Sequence, residues 1–470
     1  MPESLKISCI SITDFFKEKQ PLKIPTYQRA YTWRLRNIDD LLQDLYEHFE
    51  VSDVKPYYLG TILLCKDAEG FFEIIDGQQR ITTLLLLSEI LSVQHDFPFP
   101  DLSYHSQLSK QNILKNYKAI KAHSHIGVFQ SKAKMLFDQS VFTIIETDQQ
   151  DEAFSFFDSQ NNRGIPLAGV DFLKSYHLRA LGQNEETQEA LARVWDRDNK
   201  NQFLKDLFSF YLWRSRHWKG KNLNHETRQS IIEGFQKGLA NSKENEVELF
   251  PSQGNMLGQT LIYKPDSGIM LKTVPLQLQL SAKDFPFSLR QPIQKGIGFF
   301  LFTQKYVALH HQLFEKGSAP EFLQLVYKDL IEGFNDYFKV FFKLCVLCYY
   351  DKFGETGLDR FILLMDYLLG SYRINQDSIV RQTVIKILRD QPQNLLDVIE
   401  MAYLPQEVWS FIESITNEDH YKRQDIDRGV KKNYKDRVLN FYKKNEEMES
   451  MSRKLQWINK MLNERTESKK

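Results

Sequence analysis

Three short polar clusters interrupt the apolar segments of the first third of the chain, and each sets an arginine beside an amide side chain. The first is Pro25-Thr-Tyr-Gln-Arg-Ala-Tyr31, followed by Trp33. The second is Ile75-Asp-Gly-Gln-Gln-Arg-Ile-Thr-Thr-Leu84. The third is Asn161-Asn-Arg-Gly-Ile-Pro-Leu167, with Asp171 and Lys174 one to two turns into the next helix. Arg29 neighbours Gln28, Arg80 neighbours Gln79, and Arg163 neighbours Asn162. A guanidinium is a planar fork that matches phosphate oxygens, so a fold that converges the three makes one polyanion site.

The second cluster carries the most chemistry. A strand ending at Ile75 and a helix opening near Gln78 leave Asp76-Gly77 as a tight strand-to-helix turn. Gly77 takes backbone angles closed to other residues and lets a ligand approach. The first amides of the helix are unpaired donors at the positive end of its dipole, which is an anion site. Arg80 lies in that first turn. Asp76 can hold a divalent cation or position a water, whereas Gln78 and Gln79 orient but carry no proton at neutral pH. Phosphate binding with metal-assisted hydrolysis is one reading. The other is structural, with Asp76 as a cap and Arg80 in a surface ion pair. No G-x-x-x-x-G-K-[ST] phosphate loop occurs.

The elements that must position these clusters alternate between strand and helix. Leu22 to Tyr27, bounded by Pro21 and Pro25, predicts an edge strand or extended arm. Asn37 is placed to cap a helix whose apolar face is Ile38, Leu41, Leu42, Leu45 and Phe49. Tyr57 to Cys65 and Phe71 to Ile75 predict a hairpin, Gln78 to Val93 a helix, and Val141 to Glu146 a strand. A helix around Glu152 to Asp158, a polar loop from Ser159 to Pro166 and a helix from Leu167 to Leu181 complete this part. Beyond Gly182 the apolar spacing is helical almost to the end. We therefore expect an α+β domain over 1–182 and a mostly helical domain over 183–430. An irregular insertion or small ribbon falls near 241–292, and 431–470 forms a charged amphipathic helix or helix pair.

Composition narrows the function classes. Lys+Arg and Asp+Glu both number 61 in 470 residues, so binding of nucleic acid by bulk positive charge is excluded and any such contact needs a local patch. The richest apolar run, Phe338 to Tyr350, is broken by Lys339 and Lys343, so no membrane-spanning helix is expected. The amino terminus lacks the pattern of a signal peptide. Four cysteines are too few for a disulfide framework, which fits a reducing, cytoplasmic setting.

The ordered set PTYQRAYTW, IIDGQQRITTL and FDSQNNRGIPLAGVDFLKS resembles the DUF262 family, the amino-terminal domain of GmrSD-type modification-dependent restriction systems, similar to the ParB/sulfiredoxin fold. The resemblance implies a ParB-like domain that binds and hydrolyses a nucleoside triphosphate, GTP or ATP, with Mg²⁺, in defence against foreign DNA. By motif it assigns Gln28, Arg29, Asp76, Gly77, Gln78, Gln79, Arg80, Asn162, Arg163 and Gly164 to the nucleotide pocket. Catalysis would fall to Asp76, which also holds the metal, with Gln79 orienting the attack and Arg80 on the phosphates. In similar proteins the region of Tyr27 and Gln28 lies near a site that senses modified DNA, and Tyr31 and Trp33 extend it. Many relatives continue into an HNH nuclease. His217, His225, His310, His311 and His420 do not follow its pattern, so any DNA cleavage is expected from a partner nuclease subunit ahead of an unrecognised site on this chain. The rival readings are a non-hydrolysing, nucleotide-gated module that binds DNA or a partner, a direct nuclease that nicks DNA, and an interaction protein whose helical half docks a companion, against which the intactness of all three motifs argues. A homo-oligomer is compatible with each.

Three lesser candidates lie in the second half. Cys345 and Cys348 form a C-x-x-C at helical spacing with no second pair, which favours two buried apolar side chains over a zinc site. His310-His311 lies in an aromatic helix and favours packing over metal binding. Trp213-Arg-Ser-Arg-His-Trp-Lys-Gly-Lys221 interleaves aromatic and basic side chains in the manner of a nucleic-acid patch, against a structural reading as a loop after a core helix.

Overall fold

The alternation of apolar residues in the first third resolves into one five-stranded mixed sheet. The computed structural model describes residues 5–25, 28, 30–51, 55–67, 69–93, 100, 102–104, 106–149, 153, 156, 169–182, 185–236, 259–264, 268–273, 281–315, 317–422, 428–444 and 450–468. Strands β1 (Lys6–Ser11), β2 (Leu22–Lys23), β3 (Tyr57–Lys66), β4 (Phe72–Asp76) and β5 (Ser140–Thr147) lie in the order β1-β5-β3-β4-β2. β3 and β4 form the expected antiparallel hairpin, β3 and β5 run parallel, and β2 is a two-residue edge strand. The near-continuous apolar run of β3 follows from its central place, where side chains on both faces are buried.

Helix α1 (Ile12–Glu18) is capped by Ser11 and follows β1 directly. α2 spans Leu35–Val51. It starts two residues before Asn37, whose side chain accepts from the Arg34 amide at 3.0 Å rather than standing ahead of the helix as its cap. α3 (Gln78–Leu91) is apolar nearly all round because it runs through the core, packed by Ile62, Ile74 and Phe142 of the sheet. α4 (Gln107–Lys121) and α5 (Ile126–Gln139) cover it. α6 (Gly169–Arg179) and α7 (Glu185–Asp198) follow, tied by Lys174 to Asp196 at 2.7 Å. The helix expected around 152–158 falls mostly, and the loop 159–166 wholly, outside the described residues.

The chain divides into two units, 1–197 and 198–470. The second is mostly helical, and the whole is α+β as expected. Its one ribbon, among the described residues, pairs β6 (Gln259–Lys264) with β7 (Gly268–Thr273) inside the expected insertion. The tract 274–280 lies outside them. At the centre are α8 (Ile297–Phe314), α9 (Asp336–Phe353) and α10 (Leu358–Asn375), the last buried along almost its whole length. Cys345 and Cys348 are free thiols in that core, and burial pushes both up, so they act as apolar filling. In the Trp213–Lys221 segment the two arginines are structural, while Lys219 and Lys221 are exposed. Arg214 pairs with Glu226 at 2.7 Å, and Arg216 donates to the Leu289 and Gln291 carbonyls. No described helix is long and apolar enough to cross a membrane.

His310, on α8, packs edge-on against Phe203, Tyr211 and Phe314 with centroids 5.0–5.2 Å apart, and its Nδ1 is buried without a partner. Burial first, then Lys343 and His311, hold its pKa down to about 3. The folded chain thus keeps this ring neutral while the unfolded chain protonates it near 6.5. The contribution to stability is whole above that pH and falls as pH drops toward 3. Between pH 6.5 and 5 the loss should be about 1–2 kcal/mol. Urea denaturation at the two pH values checks it, and His310→Phe should remove most of the difference.

Candidate functional site

β4 ends on Asp76 and α3 begins at Gln78, so the reversal is made by Gly77 alone, at φ 98°. A side chain there would be strained, and its Cβ would come within 2.9 Å of Ile62. Because Gly77 has no side chain, nothing from it covers the start of α3. The first bond of the helix runs from the Ile81 N–H to the Gly77 carbonyl at 3.0 Å. The amides of Gln78, Gln79 and Arg80 therefore precede the ladder as donors at the helix end. Beside them Gln78 is 5% exposed, and its Oε1 is buried with no hydrogen-bond partner. It borders a hollow of about 130 Å³ formed with Gln28, Trp33, Asp76, Gly77 and Arg80. A smaller hollow of about 40 Å³ shares Gln28 and Gln78 and is walled by Tyr104, Lys174 and Asp196.

Arg80 is anchored from behind. It donates to the Leu59 carbonyl at 2.8 Å and the Thr61 carbonyl at 2.7 Å. Those carbonyls flank Gly60, where the β3–β5 register shifts between Tyr58 and Thr61. A Cβ on Gly60 would stand 2.4 Å from Arg80 Nη1, so the glycine clears the path of the guanidinium. Two of its five N–H groups are used in this way, and the side chain remains 24% exposed. Asp76 Oδ2 is 3.8 Å from Arg80 Nη2, an ion contact longer than a hydrogen bond.

The first cluster is held against the second by two glutamines. Gln28 donates through Nε2 to the Ile74 and Ile75 carbonyls at 2.9 and 2.8 Å. Gln79 accepts through Oε1 from the amides of Thr32 and Trp33 at 2.8 and 3.1 Å, and donates through Nε2 to the Ala30 carbonyl at 3.1 Å. Both ends of the Gln79 amide are thus engaged. The structure makes it the clamp of the 30–33 segment, not a side chain free to orient an attacking water.

Residues 12–178 match the family described as the GmrSD restriction endonuclease, N-terminal domain. Residues 187–428, just over half of the chain, match a family of unknown function, DUF7834. The chain belongs to the DUF7834 family and carries a GmrSD amino-terminal domain. No curated protein matches the chain. The second half matches DUF7834 where many GmrSD relatives were expected to carry an HNH domain.

In the GmrSD domain, Tyr31 departs from its expected place at a DNA-sensing surface. It is fully buried, its hydroxyl 2.8 Å from Thr83 Oγ1 and 3.0 Å from Asn116 Nδ2, and burial raises its pKa. A phenol enclosed in this way offers nothing to a DNA strand. Trp33 is half-buried and borders the larger hollow. Tyr27, Arg29, Asn162, Arg163 and Gly164 lie outside the described residues. The helix that follows the third cluster does reach the site, since Lys174 of α6 lines the smaller hollow. The sequence reading missed Gly60 and Tyr104. A lone glycine inside an apolar strand was the available signal for the first.

Among the described residues no group of three His, Cys, Asp or Glu side chains is placed to hold a metal. Mg²⁺ is commonly bound by one or two carboxylates together with substrate phosphates and water, and Asp76 beside the helix amides fits that pattern.

Proposed function

We propose that the chain is the NTP-binding and NTP-hydrolysing component of a DNA restriction system, acting with a nuclease partner. The observation that carries the reading is the bare start of α3, with an unpartnered, buried Gln78 Oε1 beside its open amides. A buried acceptor without a donor is costly, and a nucleotide offers N–H or O–H groups to fill it. In this reading the phosphates lie on the amides of Gln78, Gln79 and Arg80, with the outward N–H groups of Arg80 beside them. Asp76 holds Mg²⁺, which would neutralise charge developing on the phosphates, or positions the attacking water. By motif alone, the resemblance adds Arg29 and Arg163 to the residues expected on the phosphates. Gln79 couples occupancy of the turn to the 30–33 segment, whose Trp33 borders the hollow, and this is the route by which DNA would be sensed.

Gln78→Met tests the reading directly. Methionine keeps the length and burial of the side chain and removes the acceptor. Affinity for GTP or ATP should fall about tenfold, while the thermal midpoint stays level or rises because an unsatisfied group has gone. Unchanged affinity would place the nucleotide elsewhere. Phosphate release with and without plain and modified DNA then separates the hydrolase from the nucleotide-gated module, which would bind without turnover.

A further inference from the structure

The second unit carries an open cleft of about 640 Å³, a size typical of small-molecule sites, at the surface of its helical packing. It lies between the end of α8, the helix Glu321–Val326 with the π-helical turn Tyr327–Ile331 that continues it, α9, and α11 (Lys454–Ser468). Its apolar lining includes Leu313, Phe314, Phe322 and Leu323. On one wall the Arg465 guanidinium stacks 3.7 Å from the Phe322 ring centroid and bonds to Asp359 at 3.2 Å, so its charge is compensated and it presents a flat face.

Lys343 differs. Its Nζ lies 5.3 Å from the Phe314 centroid and 5.2 Å from that of Tyr327, half-buried on the cavity wall. Among the described residues no carboxylate or carbonyl pairs with it. After burial, the charge that acts on it is Lys339, another cation, itself engaged by Asp336 at 3.1 Å. The carboxylates that border the cavity, Glu315, Glu321 and Glu332, are exposed, and Glu315 is paired with His311. A half-buried ammonium set against two aromatic rings is poorly hydrated, so an anionic group there is favoured. The π-helical turn that carries Tyr327 is a departure from helix geometry of the kind that gathers at functional sites. A further π-helical turn, Leu207–Trp213, brings Tyr211 to His310, whose ring in turn packs on Phe314.

We propose that this cavity binds a small organic monoanion with a planar, apolar body, its anionic group held by Lys343 and its body against Phe314, Phe322 and Tyr327. Lys343 is the half-buried cation of the lining, and the exposed rim sets Glu321 and Glu332 against Lys328, so the site favours a single negative charge over a triphosphate. The site is therefore distinct in chemistry from the α3 turn and stands whether or not that turn hydrolyses nucleotide.

The test uses the full chain and two fluorescent probes of similar shape, anilinonaphthalene sulfonate and the uncharged N-phenylnaphthylamine. Wild type should bind both saturably. Lys343→Met should weaken the sulfonate at least about tenfold and leave the neutral probe unchanged, while Lys343→Arg retains both. Leu325→Trp, at an exposed residue of the rim, should block both probes with the thermal midpoint kept. Naphthoate should displace the sulfonate and ATP should not. Equal sulfonate binding by wild type and Lys343→Met, loss in Lys343→Arg, or displacement by ATP would each overturn the assignment.

Discussion

Asp76→Asn is expected to lower NTP turnover by roughly 10²–10³-fold while nucleotide binding survives. Asparagine preserves the outline of the side chain and removes the charge that would hold Mg²⁺ or polarise a water. The phosphates are assigned mainly to backbone amides of α3, which the substitution does not touch, so the effect should fall on kcat with KM little changed. The fold has small reason to respond. The Asp76 carboxylate is 38% exposed, and its contact with Arg80 spans 3.8 Å, a surface pair of little worth. Arg80→Ala makes a poorer probe, because that guanidinium also satisfies the two carbonyls flanking Gly60. Loss of turnover there would mix catalysis with repair of β3. Steady-state phosphate release on Asp76→Asn, with nucleotide binding measured in parallel, decides the matter. Turnover at the wild-type rate would remove Asp76 from the chemistry.

The elements that frame the site were legible because their signals are local. An apolar run broken by Asp-Gly marks a strand, a turn and a helix, and the hairpin needs only two strands and a polar connection. β1 was not legible, since Lys6–Ser11 alternates polar and apolar residues weakly and becomes a strand only through its register with β5, far along the chain. Site roles followed the same division. Gly77 and the open amides are consequences of one turn. The engagement of Gln79 with residues 30–33, and of Arg80 with β3, depends on which distant backbone groups are left unpaired, and no spacing rule reports that. Tyr31 shows the limit from the other side. A tyrosine in a polar cluster was read as a surface residue, and the buried hydroxyl and amide of Thr83 and Asn116 claimed it for the core.

Lys454→Met should destabilise the helical unit by roughly 3–5 kcal/mol. Lys454 and Asp366 are both wholly inaccessible, with Nζ 2.6 Å from Oδ2, and Tyr434 donates to the other carboxylate oxygen at 2.9 Å. The ammonium is ringed by Tyr367, Tyr421 and Tyr434, and it also bonds the Tyr434 hydroxyl. Gly370 admits this packing, because any Cβ there would meet the Tyr434 hydroxyl. Methionine fills the channel but leaves the Asp366 charge buried without its cation, and that unpaired group, not lost volume, sets the size of the effect. At roughly 2–4 °C per kcal/mol for a unit of this size, the thermal midpoint should drop by about 10 °C. The double variant Lys454→Met with Asp366→Leu should recover most of the loss, since removing both charges also removes their desolvation cost, and Tyr434 keeps the Asp366 backbone carbonyl, now of Leu, as an acceptor at 3.2 Å. The pair also explains why the charged carboxy-terminal segment folds onto its unit. Tyr434, Val438, Met451, Trp457 and Ile458 are buried with Lys454, so the segment contributes core as well as charge. A midpoint within about 2 °C of wild type for the single variant would mean the ion pair is hydrated in solution, and the attachment of α11 would then rest on its apolar residues alone.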